Sequence, residues 1–253
     1  MSLAWPSWVS FGWESFLLLC LAAFLAGLVR GFSGFGAALV FTPLANIVVE
    51  PWRAVTLLVI LDFLLALPLL PRAAKACVWR EVAPLTGAAA LTVPVGAFFL
   101  VSVDATALRW AMALLALLAV GVLVSGWRYA SRPTPYLSAG VGALAGGLGG
   151  LSSFYGPPII IFWLSGQAGS GTVRANLIVF FAAIGLVAST VYTLLGILTV
   201  SVFLESLLLM PPYGVSLFLG ARLFGLASER TFRNLAYLAI VGAALSSLPV
   251  WQW

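Results

Sequence analysis

Gly146-Gly147-Leu148-Gly149-Gly150-Leu151-Ser152-Ser153-Phe154-Tyr155-Gly156-Pro157-Pro158 lies inside an apolar stretch, Tyr136 to Ser165, of only 30 residues. Two bilayer crossings with a turn need about 40 residues. The stretch is therefore a hairpin of tilted or half-length helices that meet within the membrane, with the glycine-rich run as its tip. A similar tip, Gly27-Leu28-Val29-Arg30-Gly31-Phe32-Ser33-Gly34-Phe35-Gly36 with Pro43 beyond, interrupts the first apolar stretch, Phe11 to Val49. Glycine and proline release backbone N–H and C=O groups, and lipid tolerates that only where protein or a water-filled cavity satisfies them.

The rest of the chain makes the membrane reading necessary. Of 253 residues, 63% are hydrophobic and 8% charged, whereas a soluble domain carries about a quarter charged residues. Apolar elements recur at Ala54–Leu70, Val82–Val101, Ala107–Trp127, Ala175–Gly196, Val200–Gly220 and Phe232–Pro249. The fold class is an all-α polytopic membrane protein, and there is no room for a separate soluble domain. Trp5, Trp8 and Trp13 at one end, and Trp251 and Trp253 at the other, read as interfacial anchors. The segment up to Trp13 carries no Lys or Arg, so it lacks the basic region of a signal peptide.

The two halves read as a duplication. Gly27, Gly31 and Ser33 match Gly146, Gly150 and Ser152 at a shift of 119, Arg53-Ala54 matches Arg174-Ala175 at 121, and Pro94-Val95-Gly96 matches Pro212-Tyr213-Gly214 at 118. Leu108-Arg109 resembles Phe232-Arg233 at 124. The expected organisation is one integral membrane domain with a first repeat at 1–130 and a second at 131–253. Each repeat is a re-entrant or broken hairpin plus three spans. An odd number of spans inverts the second copy. Under that scheme Arg72, Lys75, Arg80, Arg128, Arg132, Arg174, Arg222, Arg230 and Arg233 share one side, against Arg53 and Arg109 on the other. The positive-inside rule then makes the first set cytoplasmic and puts both termini outside.

Several chemistries are excluded. The chain has no His, so Ser-His and Cys-His nucleophiles and imidazole metal sites are absent. Gly31-Phe32-Ser33-Gly34 fits the G-x-S-G pattern of rhomboid intramembrane proteases, but those need a His. Cys20 and Cys77 have no motif spacing. The net charge of +5 is spread over connections and forms no nucleic-acid face. No enzyme, cofactor or metal is expected.

What remains is anion binding. A half-helix that starts in mid-membrane presents orphan N–H groups and the positive end of its dipole, and such ends bind anions. Gly36 and Gly156 stand where the return helices begin. The candidate substrate-binding set is Arg30, Gly31, Ser33, Gly34 and Gly36 from the first tip, with Gly150, Ser152, Ser153, Tyr155 and Gly156 from the second. Thr42 is a further nearby hydroxyl. The competing reading is that the glycines only allow close helix packing. Arg30 either supplies positive charge to the anion or snorkels to the interface. Asp62, deep in an apolar span, is either a proton-coupling group or a salt-bridge partner of Arg30. Glu205, near a helix start, reaches the interface.

Ala26-Gly27-(x)3-Gly31-Phe32-Ser33-Gly34-Phe35-Gly36 with Pro43 resembles the first-half motif of the sulfite exporter TauE/SafE family. The tip ending Gly156-Pro157-Pro158 resembles its second-half motif, and Gly220-Ala221-Arg222-Leu223-(x)9-Phe232-Arg233 its C-terminal region. The resemblance implies a multi-pass bacterial inner-membrane transporter that exports sulfite, sulfoacetate or other organosulfonates. The alternatives are a passive anion channel and a membrane scaffold subunit for a partner enzyme. The expected partners are a small sulfur-containing anion and the lipid bilayer, and exposed aromatic helix faces leave a homodimer open.

Overall fold

The structure, a computed structural model, describes residues 11–125, 134–164, 169–223 and 229–248. Expectations for Trp5, Trp8, Trp251, Trp253, Arg128, Arg132 and the repeat boundary at 130 and 131 lie outside the described residues, as do the side chains of Arg230 and Arg233.

The order is α1 (Trp13–Ser33), α2 (Ala37–Ala45), α3 (Pro51–Ala66), a 3-10 turn (Leu67–Leu69), α4 (Leu70–Ala76), α5 (Trp79–Ser102) and α6 (Ala105–Val124). It continues with α7 (Pro135–Ser152), α8 (Gly156–Leu164), α9 (Ser170–Leu194), α10 (Val200–Leu223) and α11 (Glu229–Ser246). There is no strand among the described residues. Among the described residues, six helical segments are long and apolar enough to cross a bilayer: α1, the run Pro51–Ala76, α5, α6, most of α9, and α10. Helix starts follow the local chemistry. Asp104 caps α6 by accepting from Thr106 N and Ala107 N at 2.9 and 3.2 Å, and Pro51 and Pro135 occupy first-turn positions that need no donor.

Both hairpins break where the glycine-rich tips predict, and each pairs a long helix with a short one. α1 runs to Ser33, into the first tip, and α7 runs to Ser152, into the second. Their return helices, α2 and α8, have nine residues each, about 14 Å. At the first tip Gly34 and Gly36 take left-handed backbone, φ 80° and 85°, which L side chains avoid. Gly34 N–H closes α1 on Arg30 O at 2.7 Å. At the second tip Ser153 itself is left-handed, φ 63°, and its N–H donates to Gly149 O at 2.7 Å.

Two backbone seams hold the bundle. α1 lies along α10, and α7 along α5. A Cβ added at Gly31 would fall 2.0 Å from Leu217 O, and one at Gly220 would fall 2.3 Å from Leu28 O. On the other seam, Gly150 meets Val93 O at 2.3 Å and Gly96 meets Gly147 O at 2.1 Å. Thr92 Oγ1 ties that seam by donating to Ala143 O at 2.8 Å. An added Cβ meets a facing backbone carbonyl at Gly96 and at Gly220, whereas one at Gly214 would find a Leu65 methyl at 3.8 Å.

α3 and α9 pack on each other at the centre, burying Leu57, Leu58, Leu61, Phe180 and Ile184. The third span does not stop at Leu70. It turns through the 3-10 segment at Pro68 and continues to Ala76, so Arg72 and Lys75 sit on a helix. Glu205 does not reach the interface: it is fully buried, with Oε2 3.6 Å from Arg53 Nε. Lipid gives a carboxylate no solvation, so a cation within reach sets its position.

Candidate functional site

The starts of α2 and α8 abut. A Cβ added at Gly156 would lie 3.8 Å from Gly36 N and 3.5 Å from Phe35 Cβ. No side chain caps α2, and its first turn carries no acid. Its leading N–H groups and dipole therefore face a narrow cavity with no carboxylate from the helix's own first turn against them. α8 brings a second dipole but fewer donors, because Pro157 and Pro158 have no N–H.

Five segments line this cavity: Arg30 of α1, Gly36 to Leu39 at the head of α2, Asp62 of α3, Phe181 of α9, and Ser153, Phe154, Gly156 and Pro157 around the second tip. Its free space suits about one water molecule. Ser153 Oγ is buried and has no hydrogen-bond partner among the described residues. The left-handed turn at Ser153, needed to reverse the chain, is what carries this hydroxyl to the cavity wall.

Arg30 donates through Nη1 to Asp62 Oδ2, and the Tyr213 hydroxyl donates to Asp62 Oδ1. Asp62 is thus the salt-bridge partner of Arg30, one of the two roles left open by its position in the sequence. The Arg30 guanidinium also lies 4.7 Å from the centroid of the Phe181 ring, a cation–π distance. The three polar groups come from α1, α3 and α10, so the triad joins helices far apart in the chain.

The other candidates are placed as follows. Gly31 and Gly150 occupy the helix seams and lie off the cavity lining. Gly34 is the C-cap of α1. Ser33 Oγ lies 2.7 Å from the carbonyl oxygens of Val29 and Phe35 and 3.4 Å from Phe35 N, so it braces the turn. Ser152 Oγ donates back to Leu148 O at 2.7 Å. Thr42 Oγ1 bonds Ser152 O at 3.4 Å, linking the two tips. Tyr155 packs its ring where a side chain at Gly149 would stand, and it meets Phe180 edge-on at 6.3 Å. Of the ten predicted binding residues, Arg30, Gly36, Ser153 and Gly156 reach the cavity.

A model of the sulfite exporter TauE/SafE family matches residues 19–247, a stretch that contains both tips, the triad and both seams. The chain belongs to the TauE/SafE family. Members of this family are membrane transporters, not enzymes, and this member is a multi-pass membrane protein of the same kind. Neither the curated proteins nor the solved structures contain a match. Within this TauE/SafE chain, two site residues were missed by sequence reasoning. Tyr213 enters the sequence reading only through the Pro212-Tyr213-Gly214 repeat match, and Phe181 is not singled out at all. The signal for Tyr213 was a hydroxyl set beside Pro211-Pro212 in mid-span, where a polar group needs a partner.

Proposed function

We propose that the protein is a secondary transporter that exports sulfite or a small organosulfonate such as sulfoacetate across the bacterial inner membrane by alternating access. The observation that carries this reading is the meeting of two half-helix N-termini, an arginine and an unpartnered serine hydroxyl around one cavity. A sulfonate is a compact, three-oxygen acceptor. It suits the α2 N–H groups, the Gly156 N–H, the Ser153 hydroxyl and Arg30, which replace its hydration shell. The cavity is too tight for such an anion as it stands, which supports a carrier whose helices must part to load it.

The proposed rocking units are two inverted repeats, 1–130 and 131–253, with cytoplasmic basic connections and periplasmic termini. The matched seams support this. Gly31 and Gly150 are related by 119 residues and Gly96 and Gly220 by 124, and each pair meets a backbone carbonyl of the other half of the chain. The charges are not duplicated: Gly149 stands 119 residues from Arg30, and Ala183 stands 121 from Asp62.

Asp62 is the proposed proton-coupling group. An anion on Arg30 leaves the carboxylate only the Tyr213 hydroxyl, and an unpaired charge at that depth is costly. Asp62 then takes a proton, and anion and proton move together down the outward substrate gradient. Near neutral pH, where sulfoacetate does not titrate, wild-type flux is expected to fall as pH rises. Asp62→Asn is expected to show a flat profile and about tenfold tighter anion binding, since the competing carboxylate is gone. A profile unchanged from wild type ends the coupling proposal.

Purified protein in liposomes, offered sulfite, sulfoacetate, taurine, sulfate and thiosulfate, tests the whole reading. A saturable flux of sulfite or a sulfonate, absent for sulfate, is the expected result. Flux that does not saturate and far exceeds carrier turnover identifies a channel. Silence across the panel from folded protein, with a co-purifying enzyme, identifies a scaffold. Ser153→Gly separates binding from folding at the same site. It removes the free hydroxyl and is expected to weaken anion affinity by about tenfold or more. It also relieves a left-handed residue and adds about 1 kcal/mol of stability. Unchanged affinity places the anion elsewhere.

A further inference from the structure

A second, larger cavity of about 390 Å³ opens between the Pro51–Ala76 run, α5 and α9, and shares no lining residue with the anion cavity. Phe63, Leu67, Trp79, Val82 and Leu186 are among its walls. It exists where the 3-10 turn at Pro68 redirects the Pro51–Ala76 run and where α5 and α9 contribute the small residues Ala83, Gly87, Ala182 and Ala183 to the wall. A Cβ added at Gly87 would meet nothing within 4 Å.

This chamber does not suit the transported anion. Its wall is almost wholly apolar, and the one unpartnered side-chain polar atom in it is Thr86 Oγ1. One hydroxyl cannot replace a hydration shell. Apolar cavities also stay dry, and an empty one leaves its lining without dispersion partners. Hydrocarbon is the occupant that fits, and the bilayer supplies it.

The rim adds a charge. Trp79 is half exposed, and its indole N–H donates to Ala74 O at 3.0 Å, which holds the ring between cavity and surface. Arg72, Lys75 and Arg80 are exposed on the same connection. Among the described residues none of the three is within ion-pair distance of a carboxylate. The nearest acid in sequence, Glu81, accepts from the Asn176 amide at 3.4 Å. Three unpaired cations beside an interfacial tryptophan attract a phosphate.

We infer that this cavity seats one acyl chain of an anionic phospholipid, with the lipid phosphate held by Arg72, Lys75 and Arg80. The site is separate from the anion cavity and stands whether or not the transport reading holds. The test uses delipidated full-length protein in detergent, titrated with phosphatidylglycerol or with phosphatidylcholine of the same chains. It reads bound lipid by native mass spectrometry and the melting temperature. Phosphatidylglycerol is expected to be retained as a single adduct, about fivefold or more tighter than phosphatidylcholine, and to raise the melting temperature. Changing Arg72, Lys75 and Arg80 together to Gln is expected to erase the headgroup preference while some lipid is still held. Gly87→Leu with Ala183→Leu, which fills the chamber, is expected to lose the adduct with both lipids, with a lipid-free melting temperature no lower than wild type. Equal retention of the two lipids by wild type, or a phosphatidylglycerol adduct that survives the filled chamber, overturns the inference.

Discussion

Arg30→Gln is expected to reduce sulfite or sulfonate flux by about 100-fold or more, because it removes the only full positive charge among the described residues that line the cavity. The same change strands Asp62 in the membrane with the Tyr213 hydroxyl as its remaining partner. Breaking a buried pair in this way costs about 3–5 kcal/mol, so loss of flux in the single variant would mix binding with folding. The double variant Arg30→Gln with Asp62→Asn separates them. Two neutral amides can hydrogen-bond where the ions stood, and replacing both members of a buried pair is often close to neutral. Thermal unfolding of the double variant should return near to wild type while flux stays at the background of empty liposomes. If the double variant transports normally, Arg30 is a structural cation and the anion does not sit on it.

The second large effect is structural. Gly150→Leu is expected to leave little or no folded protein, a cost above about 3 kcal/mol. Its Cβ would stand 2.3 Å from Val93 O and 3.0 Å from Ala97 N, and backbone cannot swing away as a side chain can. Gly31→Leu meets the same obstacle at Leu217 O. Gly121→Ala is the matched control. It lies in the same kind of helix with nothing within 4 Å, and it should be neutral or slightly stabilising through helix propensity. Detergent-resistant, monodisperse protein at wild-type yield from Gly150→Leu would show that the α5–α7 seam is looser than its geometry.

These outcomes show which parts of the molecule were legible in its residues. The glycine and proline tips marked both helix breaks because lipid forbids free backbone, and that rule acts on local sequence alone. Gly31 and Gly150 could not be assigned in the same way. A glycine that admits an anion and one that admits another helix are the same letter, and only the position of Leu217 O and Val93 O distinguishes them. Ser33 and Ser153 present a similar contrast. Both are tip serines, yet the first is turned into its own loop and the second toward the cavity, a difference of backbone rotation with no composition signal. Asp62 stood out by its depth, and Arg30 was named as one of its two possible uses. Tyr213 could not be placed against Asp62, because they are 151 residues apart and their meeting depends on how α10 lies on α1 and α3.

The two glycine seams run between the halves of the chain and not within them: α1 rests on α10, and α7 on α5. Either half made alone would turn a strip of bare carbonyls toward lipid with nothing to cover it. Two separate halves could bury those strips only by each lending its hairpin to the other. The molecule is in this sense an arm exchange made permanent by one covalent link, and neither half can melt without opening the other.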